Sequence, residues 1–154
     1  MLQWLTIFIA VANELYLSVA ASLANRAAEK DLYLSIAKDE WNWFKGSGMI
    51  NDQNLINDGL DINSDGSCSN NGDIVWSYNQ GVILGGLVEL SRATGDPEYL
   101  SEATAIAEAA IEALSEDGIL HESCEPNDCG GDGPQFKGKQ ISPARTPSRV
   151  VDQS

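Results

Sequence analysis

Residues 76–101 read WSYNQGVILGGLVELSRATGDPEYLS, and this stretch gives the clearest indication of the fold. A polar, aromatic loop leads directly into an apolar helix at residues 79–91, and a short turn leads on to a second helix. Glycines and aliphatic residues fill the first helix, with few charges on any side. This composition is typical of a helix that is closely packed and buried all round. The stretch therefore predicts a helical hairpin with a buried first helix and an exposed return helix.

The same hairpin occurs earlier in the chain, at an offset of 66 residues. Asn13 matches Asn79, Arg26-Ala27 matches Arg92-Ala93, and residues 33–35 match residues 99–101. Residues 13–25 are therefore expected to form a second buried helix. Such a hairpin cannot bury its apolar face alone and needs neighbours stacked beside it. The repeat predicts part of a larger ring of hairpins, whereas two similar pairs in an ordinary helix bundle are the alternative.

The return helices are amphipathic. Asp96 is suited to cap the second of them, with Pro97 in its first helical position. Residues 31–45 repeat the design, with Trp41 and Phe44 facing inward. The apolar stripe of the second return helix is predicted to contain Tyr99, Leu100, Ala103, Ile106, Ala107, Ala110, Ile111 and Leu114. The residues predicted to face solvent on the same helix are Glu98, Glu102, Glu108 and Glu112.

Two long loops are expected to hold the ligand site. Each buried helix begins, and each return helix ends, at the same end of its hairpin, so loops 46–77 and 115–135 should lie on one rim. They contain most of the Asp, Asn and Gly residues and all the cysteines. Functional residues are often carried on loops that a rigid scaffold holds in place.

Size and charge limit the classes of partner. The chain has 154 residues, enough for one domain with a core, and a formal net charge of −14. That charge repels nucleic acid and anionic membrane surfaces but does not oppose a neutral carbohydrate or a cation. The apolar segment 2–12 is too short to span a bilayer. No Lys or Arg precedes it, so we do not interpret it as a signal peptide.

The cysteines suggest an oxidising compartment, because all of them lie in polar loops. Cys124 and Cys129 could close a small loop, which would leave Cys68 free or paired with a cysteine outside this chain. A metal site is the weaker interpretation, since there is no Cys-x-x-Cys pair and His121 is the sole histidine. We predict no cofactor.

Residues 61–66, DINSDG, match the opening of a calcium-binding loop. The match then fails, because the twelfth position is Gly72 rather than a glutamate, and residues 48–60 are too rich in Gly, Asn and Asp to form the incoming helix. We expect an Asx-rich turn here. A calcium-dependent loop protein remains an alternative.

An ordered set of motifs closely resembles glycoside hydrolase family 76, the endo-α-1,6-mannanases of fungi and bacteria. The motifs are NELYLSVAASLA (13–24), NDGLD (57–61), WSYNQGVILGGL (76–87) and FKG (136–138). The resemblance covers residues 9–138. It implies an all-α barrel of six helical hairpins, (α/α)6, of which this chain would hold two. It also implies retaining cleavage of α-1,6-linked mannan by a secreted, cell-wall-associated or membrane-associated enzyme.

The chain departs from the family pattern in two places. The family's catalytic residues are two adjacent aspartates on an earlier inner helix, and the chain has no Asp-Asp dipeptide, so no catalytic residue is assigned. After residue 138 the family continues into an apolar helix, whereas residues 139–154 are rich in Ser, Pro and Arg and are expected to be disordered. We expect residues 1–138 to be an internal fragment of the catalytic domain that lacks the rest of its barrel. The missing neighbours would leave apolar surface exposed.

Retaining glycoside hydrolysis requires two carboxyl groups about 5 Å apart. Asp58 with Asp61 and Glu122 with Glu125 are the pairs available in the loops. Acidic residues in loops are more often caps or turn formers than catalysts. Binding of sugar hydroxyls is therefore the better interpretation for Asp58 and Glu122.

The start of the second buried helix supplies the other candidate ligand contacts. Trp76 and Tyr78 could stack on the apolar face of a pyranose, and Asn79 and Gln80 could reach its hydroxyls. Alternatively, the two aromatic residues only anchor the loop; the family resemblance favours ligand contact. With Asn13, which the repeat matches to Asn79, the predicted substrate-binding set is Asn13, Asp58, Trp76, Tyr78, Asn79, Gln80 and Glu122. A non-catalytic carbohydrate-binding helical module is the alternative to an enzyme fragment.

Overall fold

Two helical hairpins form the body of the chain in a computed structural model, which describes residues 8–131, 133 and 135–137. The first hairpin consists of α1 (Ala10–Arg26) and α2 (Lys30–Ser47). The second consists of α3 (Ser77–Thr94) and α4 (Glu98–Leu114). The prediction of an all-α chain with two repeated hairpins is confirmed. Most of segment 2–12 and the whole of the expected disordered tail, 139–154, lie outside the described residues.

The two inner helices, α1 and α3, run in the same direction. Ser18 Oγ donates to the Val82 carbonyl over 3.3 Å, and Asn25 Nδ2 donates to the Glu89 carbonyl over 2.8 Å. Both pairs are separated by 64 residues, so moving along one helix moves equally along the other. This parallel arrangement is the one that a ring of stacked hairpins requires.

Gly86 lets α1 and α3 approach closely. A Cβ atom at this position would lie 3.0 Å from Leu17 Cγ and 3.2 Å from Ser18 Oγ. The absence of a side chain therefore sets the distance between the inner helices. Around this contact the core contains Ala10, Leu17, Ala20, Ala21, Ala37, Trp41, Phe44, Met49, Ile56, Leu60, Ile83, Leu87, Leu90, Ala103 and Ile106.

The predicted stripe of α4 was too wide. Ala103, Ile106 and Ala110 are buried, but Leu100 and Ile111 are 45% and 60% exposed. The expectation that Glu102 faces solvent was also wrong. Its carboxylate accepts from the indole Nε1 of Trp41 over 2.7 Å and pairs with Lys45 over 2.6 Å. A buried indole N–H requires an acceptor, and Glu102 is drawn inward to supply it.

One face of α1 is exposed, contrary to a helix that is buried all round. Leu15, Tyr16 and Val19 are 48%, 52% and 58% exposed. Exposed apolar surface of this kind is what the expectation of missing neighbouring hairpins predicts. None of the helices in the described part of the chain is long and apolar enough to cross a membrane.

Short strands that the sequence did not indicate lie in the rim loops and directly before α1. β1 (Phe8–Ile9), β2 (Gly59–Ile62) and β3 (Cys68–Asn70) form an antiparallel sheet in that order. β4 (Ser115–Glu116) pairs with β5 (Ile119–Leu120). The sheet anchors loop 48–76 to the start of α1, because β2 pairs with the residues directly before that helix.

Residues 63–67 form the turn between β2 and β3, while Asp61 and Ile62 of the DINSDG motif belong to β2. The Asp65 carboxylate accepts from the backbone N–H of Ser67 over 2.9 Å and from its hydroxyl over 2.6 Å. Gly66 has φ +84°, which glycine tolerates. No group of three or more His, Cys, Asp or Glu within the described residues is placed to hold a metal ion.

Candidate functional site

The rim loops close over the first turns of α1 and α3. The Ala10 N–H at the start of α1 donates to the Asp58 carbonyl over 2.9 Å. The Ser77 N–H at the start of α3 donates to the Glu122 carboxylate over 3.2 Å. Both inner helices therefore begin against the loops that contain the predicted site residues, as the repeat required.

Asp58 is the centre of a polar cluster. It is half-buried, and its Oδ1 accepts from the Tyr78 hydroxyl over 3.0 Å and from Asn79 Nδ2 over 3.3 Å. Burial and, second, the hydrogen bond to Asp58 raise the pKa of the Tyr78 phenol far above its ordinary value. Tyr78 therefore remains a donor at physiological pH and holds the carboxylate in place.

Aromatic rings lie directly beside this cluster. The rings of Trp76 and Tyr78 are stacked, with centroids 6.4 Å apart and planes at 15°. Phe136 contacts both, at 5.1 Å from Trp76 and 4.6 Å from Tyr78. Trp76 and Tyr78 are half-buried, so part of each ring remains accessible. Through these contacts Phe136 connects the end of loop 115–137 to the start of α3.

Glu122 caps α3. It is 2% exposed, and its two carboxyl oxygens accept from the backbone N–H and the hydroxyl of Ser77. A carboxylate at this position satisfies one of the unpaired N–H groups of the helix N-terminus and complements the helix dipole. Because Glu122 is buried and each of its oxygens accepts from Ser77, we assign Glu122 to the helix cap rather than to the ligand.

Gln80 fastens loop 48–76 to α3. Its fully buried side chain accepts from the Ile56 N–H over 2.9 Å and donates to the Ile56 carbonyl over 2.8 Å. It also donates to the Trp76 carbonyl over 3.0 Å. Both the oxygen and the NH₂ group of the Gln80 amide are thus hydrogen-bonded to the backbone. Gln80 therefore belongs to the scaffold that positions Asp58.

Asn79 and Glu14 are both fully buried in the cluster. Asn79 Oδ1 and both carboxyl oxygens of Glu14 have no hydrogen-bond partner among the described residues. Burial and, second, the nearby charge of Asp58 raise the pKa of Glu14 well above its ordinary value. The sequence patterns did not point to Glu14 as a residue of the site. The available signal was that Glu14 is the single acidic residue in α1, a helix that is otherwise mostly apolar.

Asn13 lines a cavity that is separate from the polar cluster around Asp58. Its Nδ2 donates to the carbonyl of Ile9, the residue directly before α1, over 3.0 Å. It lines a cavity of about 450 Å³ together with Glu40, Trp43, Ser47, Leu60 and Cys68. We therefore do not group Asn13 with the cluster at Asp58.

Loop 115–137 is held by covalent and ionic contacts. Cys124 and Cys129 form a disulfide, and Cys68 is free and exposed. Glu125 pairs with Lys137, and this contact lowers the pKa of the Glu125 carboxyl. Glu125 thus pairs with a lysine and Glu122 caps a helix, and we assign neither of them a catalytic role. Asp61, the other carboxylate considered for catalysis, is exposed on β2.

Residues 4–151 match the model of glycosyl hydrolase family 76. The chain belongs to this family. The matched range extends beyond residues 9–138, over which the motifs place the resemblance. Solved structures of the family are α/α barrels, and this chain covers part of such a barrel.

Curated relatives in the family include two mannan endo-1,6-α-mannosidases named DFG5. The chain is 29% identical over 133 residues to DFG5 of Candida albicans and 33% identical over 132 residues to DFG5 of Saccharomyces cerevisiae. Each alignment covers 82% of this chain, but 29% and 28% of the respective relative. The chain thus spans less than a third of the length of these relatives.

Two solved structures illustrate the fold. One is the α-1,6-mannanase GH76A of Salegentibacter sp. HEL1_6, an inactive variant with two consecutive aspartates replaced by alanine, in complex with α-1,6-mannotetrose. Its TM-score is 0.74 at 27% identity, over 88% of this chain and 38% of that chain. The other is Dfg5 from Chaetomium thermophilum in complex with glucosamine, with a TM-score of 0.75 at 22% identity over 86% of this chain and 32% of that chain. The second shows the shared fold alone.

Proposed function

We propose that the whole protein hydrolyses α-1,6-mannosidic linkages in mannan, and that this chain supplies two hairpins of its barrel and part of its sugar-binding rim. The named activity of the fungal relatives and the mannotetrose complex of the bacterial neighbour support the substrate class. The observation that carries the proposal is the Asp58 carboxylate, held by Tyr78 and Asn79 beside the half-buried ring of Trp76.

These residues suit a neutral polyol. The hydrogen bonds to the Asp58 carboxylate among the described residues all reach Oδ1, which leaves Oδ2 to accept from a sugar hydroxyl. The accessible parts of Trp76 and Tyr78 offer apolar surface to a pyranose ring. Neutral mannan also meets no repulsion from a chain with net charge −14.

The catalytic step needs residues that this chain does not contain. The mannanase of Salegentibacter is inactive when its two consecutive aspartates are replaced, and the present chain has no Asp-Asp dipeptide. Retaining or inverting hydrolysis requires two suitably spaced carboxyl groups. We therefore propose that the 154-residue chain binds α-1,6-mannan without cleaving it.

The remainder of the barrel is the proposed partner of this chain. The exposed face of Leu15, Tyr16 and Val19 on α1 is where a further hairpin would pack. We also propose that the whole protein is secreted or associated with the cell wall or membrane. The Cys124–Cys129 disulfide supports an oxidising compartment.

Calorimetry with α-1,6-mannotetraose tests the proposal. The chain should bind the tetrasaccharide, and Asp58→Asn and Trp76→Ala should each weaken the affinity, whereas Asp61→Asn, on the exposed side of β2, should not. Incubation with α-1,6-mannan should release no reducing sugar. Absence of binding by the unaltered chain, or equal affinity for all variants, would contradict the proposed rim site.

A further inference from the structure

Glu14 on α1 lies at the same height as Tyr78 and Asn79 on α3, where the two inner helices pack against each other. The Ser18–Val82 and Asn25–Glu89 hydrogen bonds fix a constant separation of 64 residues between facing positions of α1 and α3. That separation puts Glu14 opposite Tyr78. Glu14 is also near enough to the Tyr78 phenol to be among the groups that influence its pKa.

An ionised carboxylate would be strongly destabilised at this position. Glu14 is fully buried, and none of the donors among the described residues reaches either of its oxygens. No ion pair joins it to a Lys, Arg or His in the described part of the chain. Burial disfavours an unpaired charge, and the nearby Asp58 adds repulsion. Both effects favour the neutral acid.

A neutral carboxylic acid gains one O–H donor. Asn79 Oδ1 is an acceptor that is buried in the same cluster and has no donor among the described residues. The other end of this amide is fixed, because Asn79 Nδ2 donates to Asp58 over 3.3 Å. The donor that Glu14 offers and the acceptor that Asn79 offers thus complement each other.

We propose that Glu14 is protonated in the folded chain and donates its O–H to Asn79 Oδ1, which orients the Asn79 amide toward Asp58. The hydrogen bonds then run from Glu14 to Asn79 and from Asn79 to Asp58, with Tyr78 as the second donor to Asp58. Glu14 is a positioning residue, because it acts on the ligand only through Asn79 and Asp58. The titratable groups that act on it are Asp58 from the loop before β2 and Tyr78 from α3; α2 contributes none among the described residues.

The effect of Glu14 on sugar binding rests on the proposed function, but its protonation does not. Carboxyl ¹³C NMR of the glutamate-labelled 154-residue chain measures the protonation directly, with the Glu14 resonance identified by its loss in Glu14→Gln. The carboxyl shift at neutral pH should be that of a protonated acid. A Glu14 that is ionised at neutral pH would overturn the proposal, whatever the chain binds.

Two substitutions test the positioning. Glu14→Gln keeps a neutral donor and should retain the affinity for α-1,6-mannotetraose, whereas Glu14→Met has no donor and should weaken it by about fivefold to tenfold. The side-chain NH₂ of Asn79 should also exchange faster in Glu14→Met. The matched control, Glu108→Met, lies on the exposed side of α4 and should change neither.

The outcomes separate the two proposals. If Glu14→Met has wild-type affinity and wild-type exchange at Asn79, the positioning role is wrong. If the unaltered chain binds no mannotetraose, the proposed function fails, and Asn79 exchange with the carboxyl ¹³C NMR measurement still decides the role of Glu14. If Glu14→Met does not fold, the Asn79 exchange of Glu14→Gln, which should equal that of the unaltered chain, and the carboxyl ¹³C NMR measurement decide it.

Discussion

Asn25 on α1 contacts Glu89 on α3. Asn25 Nδ2 donates to the Glu89 backbone carbonyl over 2.8 Å and to the Glu89 carboxylate over 3.0 Å. Arg26 and Arg92 pair with the same carboxylate. These contacts lower the pKa of Glu89, with the Arg26 hydrogen bond as the largest cause. Asn25 therefore ties the two hairpins together at the end opposite the rim.

Asn25→Ala should destabilise the chain. It removes hydrogen bonds that cross between the repeats, and the half-buried Glu89 carbonyl loses its side-chain donor. We expect a loss of about 1–2 kcal/mol in the free energy of unfolding, measured with urea. Asn42→Ala, at an exposed position of α2, should change it by less than about 0.5 kcal/mol. Equal stability of the two variants would show that the Asn25 contacts do not join the hairpins.

Gly86→Ala tests the close approach of the inner helices. The added methyl group meets Leu17 and Ser18 at 3.0 to 3.2 Å, so the helices must separate or Leu17 must move. Overpacking of this kind costs about 1–3 kcal/mol. Gly46→Ala in α2 meets no atom within 4 Å and should stabilise by about 0.5–1 kcal/mol. A stabilised Gly86→Ala chain would contradict the packing between α1 and α3.

The stability of the chain should depend on Glu14 as pH rises. Because folding raises the pKa of this acid above 4.5, its ordinary value, the folded state holds the proton more tightly than the unfolded state. The contribution is fully present below that value and is lost as pH rises toward the folded pKa. Glu14→Gln removes this dependence, so its stability relative to the unaltered chain should grow with pH above 4.5. Parallel pH profiles for the two chains would contradict a raised pKa.

Thiol titration checks the cysteine arrangement. The denatured, non-reduced chain should give one reactive thiol, since Cys124 and Cys129 are bonded and Cys68 is free. After reduction, all three cysteines should react. Three reactive thiols before reduction would remove both the disulfide and its support for an oxidising compartment.

Periodicity and the internal repeat were enough to predict the helical hairpins and their common rim. The short strands were not predictable. β1 and β2 pair although α1 and α2 separate them in the sequence, and both strands are too short to show an alternation of apolar and polar residues. Contacts with partners distant in the sequence were also not predictable. Gln80 is fixed by Ile56, 24 residues away, and Glu122 by Ser77, 45 residues away. Residue type suggested sugar binding for both, but only the tertiary partners show that their polar atoms are occupied.

The most direct test of the rim site is an ¹H–¹⁵N NMR titration of the 154-residue chain with α-1,6-mannotetraose. We expect shifts centred on Asp58, Tyr78 and the Trp76 indole, with little change at the Asn25–Glu89 end. Shifts that cluster instead around Asn13 and Trp43, or no shifts at saturating sugar, would contradict this expectation.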